Sequence, residues 1–379
     1  MGHSEQGSRF VPAALLFLVF AGCGAEEGSS LGRAAKWLWS QQAADGGWHS
    51  ETYGLLESGQ ALTPFVLHAL MNVPESVCHR PPDGVDLALD FIRNHTNEEG
   101  ILGVADPDLL EYPNYATSFA LMCLVRNNDT DDFERVLLMR KYLMSQQYGV
   151  GSGFARGGWG LGGRRSDGSP GHMDLSYTRH VLDALRVSGL KLDIAVYMEA
   201  QKLLDLLQRR TTSQPLAKAT VTAKPPLVDG GFYFSPIVVD ANKGGFTEEG
   251  YYRSYATPTC DGLLALLAVG LPETDERVKD ALAWLERHPR LDYPQGIPAN
   301  QPIDWRTAIH YYHLAVRAEV YGRLKWPGDW RTRLADLLRP RQRDDGSFAN
   351  EAHLMKEDDP FIATTLAVIA LSHALPSSS

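Results

Sequence analysis

Tyrosines, carboxylates and histidines gather at the starts of the apolar helical stretches of this chain. Tyr112 and Tyr115 open one stretch; His172, Asp174 and Tyr177 open another; Tyr251, Tyr252, Tyr255 and Asp261 open a third. His310, Tyr311, Tyr312 and His313 begin a fourth, and Glu357, Asp358, Asp359 and Phe361 a fifth. Aromatic faces hold cationic centres and also stack on sugars, and a carboxyl among them can move a proton. Asp174 and Asp261 are the candidate acids. Tyr177, Tyr255 and Tyr312 are expected along the ligand's path, with Tyr115, Tyr252, His310, His313, Asp358, Asp359 and Phe361 lining its cavity. The competing reading is architectural: Asp and Thr at helix starts are ordinary N-caps, and a tyrosine at a rim is commonly packed.

The elements that would position these residues come in pairs. Outer-type helices are amphipathic: between Ala195 and Arg209, Val196, Ala200, Leu203, Leu204 and Leu207 share one stripe, opposite Glu199, Lys202 and Asp205. Similar stripes surround Trp284 and Trp330, and others begin near Leu31, Val85 and Phe133. Each is followed by a Gly-rich turn and a second helix that is apolar nearly all round. These run 63–71, 115–125, 176–187, 262–270, 305–321 and 362–371. A helix apolar on every side must be covered on every side. Six such pairs close most economically as two concentric rings with the apolar set inside, an all-α fold.

The turns repeat a signature. Gln42-Gln-Ala-Ala-Asp45-Gly-Gly-Trp48 and Gln342-Arg-Asp-Asp345-Gly-Ser-Phe348 both read Q-x-x-D-G-small-aromatic. Gly157-Gly-Trp159-Gly and Asp229-Gly-Gly-Phe232 are partial copies. Such units cannot bury an apolar face alone and are stable only when stacked. Inserts at 149–171 and 210–228 read as loops. The glycines from Gly149 follow a helix and not a strand, so they are not a dinucleotide loop.

Composition sets wider bounds. The 379 residues are 44% hydrophobic and 22% charged, with 46 acidic against 36 basic side chains and a net charge of −10. That excludes a basic footprint for nucleic acid. Arg9 precedes an apolar run, Phe10–Gly22, too short for a span of ~20 residues but suited to a signal-peptide core. Ala21-Gly22-Cys23 resembles a bacterial lipobox. The expectation is a signal peptide over 1–22, lipidation and membrane anchoring at Cys23, a linker over 23–30, and one domain over 31–375. Such a chain is an exported, envelope-anchored protein and is expected to be a monomer. Without Cys23 three cysteines remain, an odd number that argues against a disulfide framework.

The Q-x-x-D-G-aromatic turns resemble the QW motifs of the squalene/oxidosqualene cyclase and protein prenyltransferase superfamily, over about 31–375. The passages Ser254-Tyr-Ala-Thr257, Ala308-Ile-His-Tyr-Tyr-His313 and Glu357-Asp-Asp-Pro360 resemble its bacterial exported repeat proteins. The resemblance implies an α/α toroid of six helix pairs around an apolar cavity, with Gln42, Trp48, Gln342 and Phe348 tying helices together. Cyclases of this type protonate an alkene with the middle Asp of D-x-D-D-T-A. Here Asp174-Leu-Ser-Tyr-Thr178 keeps the first Asp and the Thr, while Ser176 and Tyr177 replace the other two acids. Prenyltransferase β subunits hold zinc with Asp, Cys and His. Cys260, Asp261 and His313 are the nearest set, so zinc is the one cofactor the resemblance allows, and otherwise none is expected. The implied function is binding of an apolar or isoprenoid-like ligand, with catalytic turnover left open. A polysaccharide lyase or glycoside hydrolase is the first alternative, Asp358 and Asp359 being its paired carboxylates although neighbours on a helix rarely face each other. An interaction scaffold is the second.

Overall fold

The structure, a computed structural model, describes residues 28–106, 108–109, 111–162, 172–192, 194–210 and 228–376. The signal-peptide region, Cys23 and most of both loop inserts lie outside these residues. Twelve helices of eight residues or more alternate between two rings. The outer set is α1 (Ser30–Ser40), α3 (Gly84–His95), α5 (Phe133–Ser145), α7 (Ala195–Leu207), α9 (Glu276–Arg287) and α11 (Trp330–Leu338). The inner set is α2 (Leu62–Met71), α4 (Pro113–Asn127), α6 (Leu175–Val187), α8 (Ala256–Ala268), α10 (His310–Arg323) and α12 (Pro360–His373). Among the described residues there is no strand, only isolated bridges such as Gly160 with Met173, and no helix is long and apolar enough to cross a membrane.

The ring closes. Each inner helix packs on the next, and α12 returns to pack on α2. Outer helices cover the seams: α3 touches α2 and α4, α5 touches α4 and α6, and α1 lies against α12. The outer stripes behave as their periodicity demands. In α9, capped by Asp275 at 2.9 Å from the Arg277 N–H, Val278, Ala281, Trp284 and Leu285 are the buried face.

The repeated turn is a hydrogen-bonding device with two parts. A glutamine after the outer helix donates from its amide to its own turn and to the first turn of the next outer helix. Gln42 reaches Gly46 O at 2.9 Å and Gly84 O at 2.8 Å. Gln147 reaches Gly157 O and Val196 O, and Gln208 reaches Gly230 O and Arg277 O. Gln342 reaches Gly346 O and, across the closure of the ring, Ser30 O at 2.9 Å. In the second part, the N–H of the residue after the glycines donates to a threonine of the inner helix. Trp48 bonds Thr63, Leu102 bonds Thr117, Trp159 bonds Thr178, Phe232 bonds Thr259 and Phe348 bonds Thr364, at 2.9–3.1 Å. These groups are buried, and a buried N–H without an acceptor costs ~1–3 kcal/mol.

One expected inner helix, 305–321, is broken in two. A single turn, Trp305–Ala308, precedes α10, and Ile309 between them is non-helical. The buried Glu357 carboxyl receives the N–H groups of Tyr311 and Tyr312 at 3.0 and 2.8 Å, so α10 starts afresh on this side chain, which burial pushes up to about 7 against those bonds. The inner helices are also less uniformly apolar than expected. Buried Arg179 and Asp183 belong to α6, and buried Arg317 and Glu319 to α10.

Replacing Thr63 by Val removes the acceptor for Trp48 N–H at nearly constant volume. Chemical denaturation is expected to show a loss of about 1–3 kcal/mol, and Thr63→Ser to recover most of it. A Val variant as stable as the parent would remove the threonine's assigned role.

Candidate functional site

The inner ring encloses a cavity of about 1040 Å³ that reaches from the starts of the inner helices to their ends. One wall is aromatic. Phe65 of α2 lies 5.2 Å from Phe119 of α4 between ring centroids, and Tyr115 lies 5.9 Å from Phe119 and 4.5 Å from Tyr177 of α6. The His68 and His180 rings stand 5.3 and 4.9 Å from Phe119. Ala315 and Val316 of α10 and Ile362, Leu366 and Ile369 of α12 line the cavity as well. These positions come from the turn devices above: once a threonine in the first turns of α4 or α6 is held, the residues around it are aimed inward.

Near the helix starts a belt of hydroxyls and one carboxyl joins four inner helices. The Tyr115 hydroxyl is 2.5 Å from Ser176 Oγ. The Tyr312 hydroxyl lies 2.7 Å from Ser176 Oγ and donates at 2.7 Å to Asp261 Oδ2. Asp261 is fully buried, and among the described residues its other oxygen has no hydrogen bond. Burial pushes its carboxyl up from the ordinary 3.8 to about 7, against Arg179 and the Tyr312 hydrogen bond, which favour the anion. Asp174 is differently engaged. It caps α6 through Tyr177 N–H at 3.0 Å and lies 3.0 Å from His172 Nε2.

At the other end, α6 and α10 contribute a ring of charge, with Arg179, Asp183 and Glu319 buried and Arg323 at the surface. Arg179 pairs with Glu319 and with Asp183 at 3.2 Å. Arg323 pairs with Glu319 at 2.5 Å and Asp183 at 3.4 Å. Burial alone would raise the Glu319 carboxyl, but the two guanidiniums hold it well below its usual range. His68, pushed down to about 4 by burial, and His180 and His373, also lowered by burial, are neutral partners around this ring. The cavity is thus apolar and aromatic through its body, hydroxylic near one end and ionic at the other.

Several sequence expectations meet here and others do not. Tyr115, Asp174, Tyr177 and Tyr312 line the cavity, and Asp261 backs it through Tyr312. Tyr255 is buried away from it, its hydroxyl 3.3 Å from Ala241 O, and Tyr252 stacks on Tyr233 at 5.1 Å. His310 packs edge-on against Tyr311, and His313 is buried outside the lining. Asp358 accepts from Tyr53 at 2.6 Å and faces His353 at 2.7 Å. Asp359 caps α12 through Phe361 N–H and bonds Ser50, and Phe361 packs on Trp37 at 5.3 Å. The physical reason is common to all: each inner helix turns only part of its surface to the cavity, and its other sides meet neighbours. Asp358 and Asp359 therefore serve different partners instead of facing one another. Cys260, Asp261 and His313 are not brought together, and among the described residues no group of three His, Cys, Asp or Glu could hold a metal ion. Burial also raises the Cys260 thiol to about 12, which disfavours a thiolate.

The sequence reading missed Arg179, Asp183, Glu319 and Arg323, although their i, i+4 spacing on helices taken as apolar was a visible signal. It also missed Ser176 as the junction of the hydroxyl belt, Glu357 as an anchor, and Lys243, a loop residue with no helical pattern to mark it.

No protein-family model matches the sequence, and no curated protein matches it. Solved structures do resemble it. A point variant of the type II terpene cyclase MstE from Scytonema, in complex with geranylgeranyl dihydroxybenzoate, aligns over 91% of this chain and 95% of its own at 15% identity and a TM-score of 0.55. A protein from Actinoplanes covers 91% of this chain and 97% of its own at 15% identity and a TM-score of 0.53. An inactive variant of the α-1,6-mannanase of Salegentibacter, in complex with α-1,6-mannotetrose, covers 91% and 98% at 12% identity and a TM-score of 0.50. The fold is an α/α toroid, as in the terpene cyclase and the mannanase.

The Asp261 environment has a thermodynamic signature. A carboxyl raised from 3.8 to about 7 on folding binds its proton more tightly in the folded state. Its contribution is intact below about pH 4, falls as pH rises to about 7, and is constant above, a loss of about 4 kcal/mol at 1.36 kcal/mol per tenfold. Asp261→Asn is therefore expected to gain about 3 kcal/mol relative to the parent between pH 4.5 and pH 8 in denaturation experiments. Parallel stability curves for the two proteins would show an ionised Asp261 throughout.

Proposed function

We propose that the protein binds a long apolar, isoprenoid-like ligand in the toroid cavity, with Asp261, Tyr312 and Ser176 as an acid–base element beside it. The observation that carries this is the pairing of an aromatic-walled cavity of about 1040 Å³ with a buried carboxyl poised near neutral pH. Ligand sites of ~300–1,000 Å³ take drug-sized or larger molecules, so the space suits an extended or folded chain. The apolar body supplies burial at ~25 cal/mol per Å², and the rings of Phe119, Tyr115 and Tyr177 favour unsaturated or positively charged carbon. The terpene cyclase among the structural relatives, with its geranylgeranyl substrate, supports the same class of ligand.

The acid element favours mild chemistry. A carboxyl near pKa 7 is about 4 kcal/mol poorer as a proton donor than an ordinary aspartic acid. Protonating an isolated alkene needs a stronger acid, whereas exchanging a proton with an oxygen function on the ligand at neutral pH suits this one. The Tyr312 hydroxyl can pass that proton between Asp261 and Ser176 Oγ, which faces the cavity.

Native mass spectrometry of the full chain with geranylgeraniol is expected to show a 1:1 complex of micromolar affinity. Ala315→Phe, which fills part of the cavity from α10, should weaken it at least tenfold, with an unchanged melting temperature as the folding control. Retention of α-1,6-mannotetrose with no binding of geranylgeraniol would replace the lipid reading by a carbohydrate one. The sequence around Cys23 supports anchoring at a bacterial envelope. Metabolic labelling with a fatty-acid analogue should mark the chain and be lost in Cys23→Ser; equal labelling of both would exclude the anchor.

A further inference from the structure

We propose that the mouth of the cavity carries a head-group site, built around Lys243, for the carboxylate or phosphate end of an amphiphile whose chain lies in the toroid. This rests on the apolar-ligand reading above and adds the chemistry of the ligand's polar end.

Lys243 is the only buried lysine among the described residues, 9% exposed, and it lines the cavity. Its ammonium stands 4.9 Å from the Phe234 ring centre and 5.4 Å from that of Trp305. Among the described residues its side chain makes one hydrogen bond, a long 3.4 Å contact to Ala241 O, and no ion pair. A desolvated ammonium costs several kcal/mol, and two ring faces return ~2 kcal/mol each at best. Burial accordingly draws its pKa below the ordinary 10.5, with Asp174 and Asp261 pulling the other way. An anion arriving with the ligand would supply the missing partner.

The surroundings are constructed to hold that ammonium in place. Gln301 donates to Lys243 O at 2.9 Å and accepts from Trp305 Nε1 at 2.8 Å, fixing the loop and the ring beneath it. Tyr255 braces the same loop from behind through Ala241 O. Gly244 has no spare room, since a Cβ there would sit 3.1 Å from both Arg253 O and the Tyr255 ring.

Most carboxylates at this mouth are engaged elsewhere, and Asp240, which also lines the cavity, is exposed to solvent. Asp174 caps α6, Glu357 anchors α10 and Asp358 holds Tyr53 and His353. Lys356 also lines the cavity, 5.5 Å over Tyr53 and 5.7 Å over Tyr112, and adds a second cation. At the far end Arg179 and Arg323 are both matched by Glu319 and Asp183. Among the described lining residues Lys243 is the buried cation without an ion pair, and the ligand's anion goes there with its chain inward.

The test compares geranylgeranyl monophosphate, geranylgeranoic acid and geranylgeraniol on the full chain at low salt. The parent is expected to bind at least one anion ten times or more tighter than the alcohol, with the preference shrinking as salt is added. Which anion is preferred identifies the head group. Lys243→Met should bind the alcohol within twofold of the parent and lose the preference, while Lys243→Arg keeps it. An alcohol bound as well as both anions by the parent, or a Met variant that weakens all three alike, overturns the head-group site and leaves the apolar-ligand reading standing. Failure of all three to bind overturns both.

Discussion

A backbone N–H entering five of the six inner helices from a tight turn is buried, and a threonine hydroxyl on that helix receives it. That bond couples turn geometry to helix rotation. With the N–H of Trp159 held on Thr178, the neighbouring Ser176 and Tyr177 have one way to face. With Phe232 held on Thr259, Asp261 is set two residues further on. The glutamines do the complementary task between outer helices, and Gln342 closes the circle onto Ser30. A cavity results because the inner helices, five locked to their turns and α10 held by Glu357, cannot collapse onto one axis.

That rigid frame explains how polar groups survive inside. A lone buried carboxyl or guanidinium is expensive, and besides those held on backbone groups, such as Arg317 and Glu357, the interior charges meet that cost in two ways. Arg179, Glu319, Arg323 and Asp183 neutralise one another across α6 and α10. Asp261 escapes its cost by holding a proton near neutral pH. Lys243 follows neither course within the protein itself, which is why its position, and not its charge alone, points to a ligand.

The fold was legible because its signals are periodic. Two full Q-x-x-D-G-aromatic turns and six alternations of striped and apolar helices suffice for the toroid, and the partial copies at Trp159 and Phe232 proved to be the same device. The site was legible only in part. Of the residues read at the helix starts, Tyr115, Asp174, Tyr177 and Tyr312 line the cavity. Rotation about each helix axis is not readable at a helix start, so Tyr255, His310, His313 and Phe361 were assigned to a surface they do not reach. The inner charges were hidden by averaging: Arg179 and Glu319 sit in helices whose mean character is apolar, yet their pairing spans 140 residues of chain.

The replacement of acids in the Asp174–Thr178 stretch then acquires a physical meaning. In the D-x-D-D-T-A motif that this stretch resembles, the middle acid falls at Ser176, and a serine cannot give up a proton of that strength. Its hydroxyl is nonetheless joined through Tyr312 to a carboxyl on the neighbouring helix. On the proposed reading the acid stands one hydroxyl behind the cavity wall, about 4 kcal/mol weaker than an ordinary aspartic acid. An alkene is too weak a base for such an acid, but an oxygen function held against the wall is not. With an anion fixed at Lys243, an amphiphile would lie with its polar end near the mouth and its first few atoms beside Ser176. The weak acid and the unpaired lysine thus select together for a ligand that carries oxygen at one end.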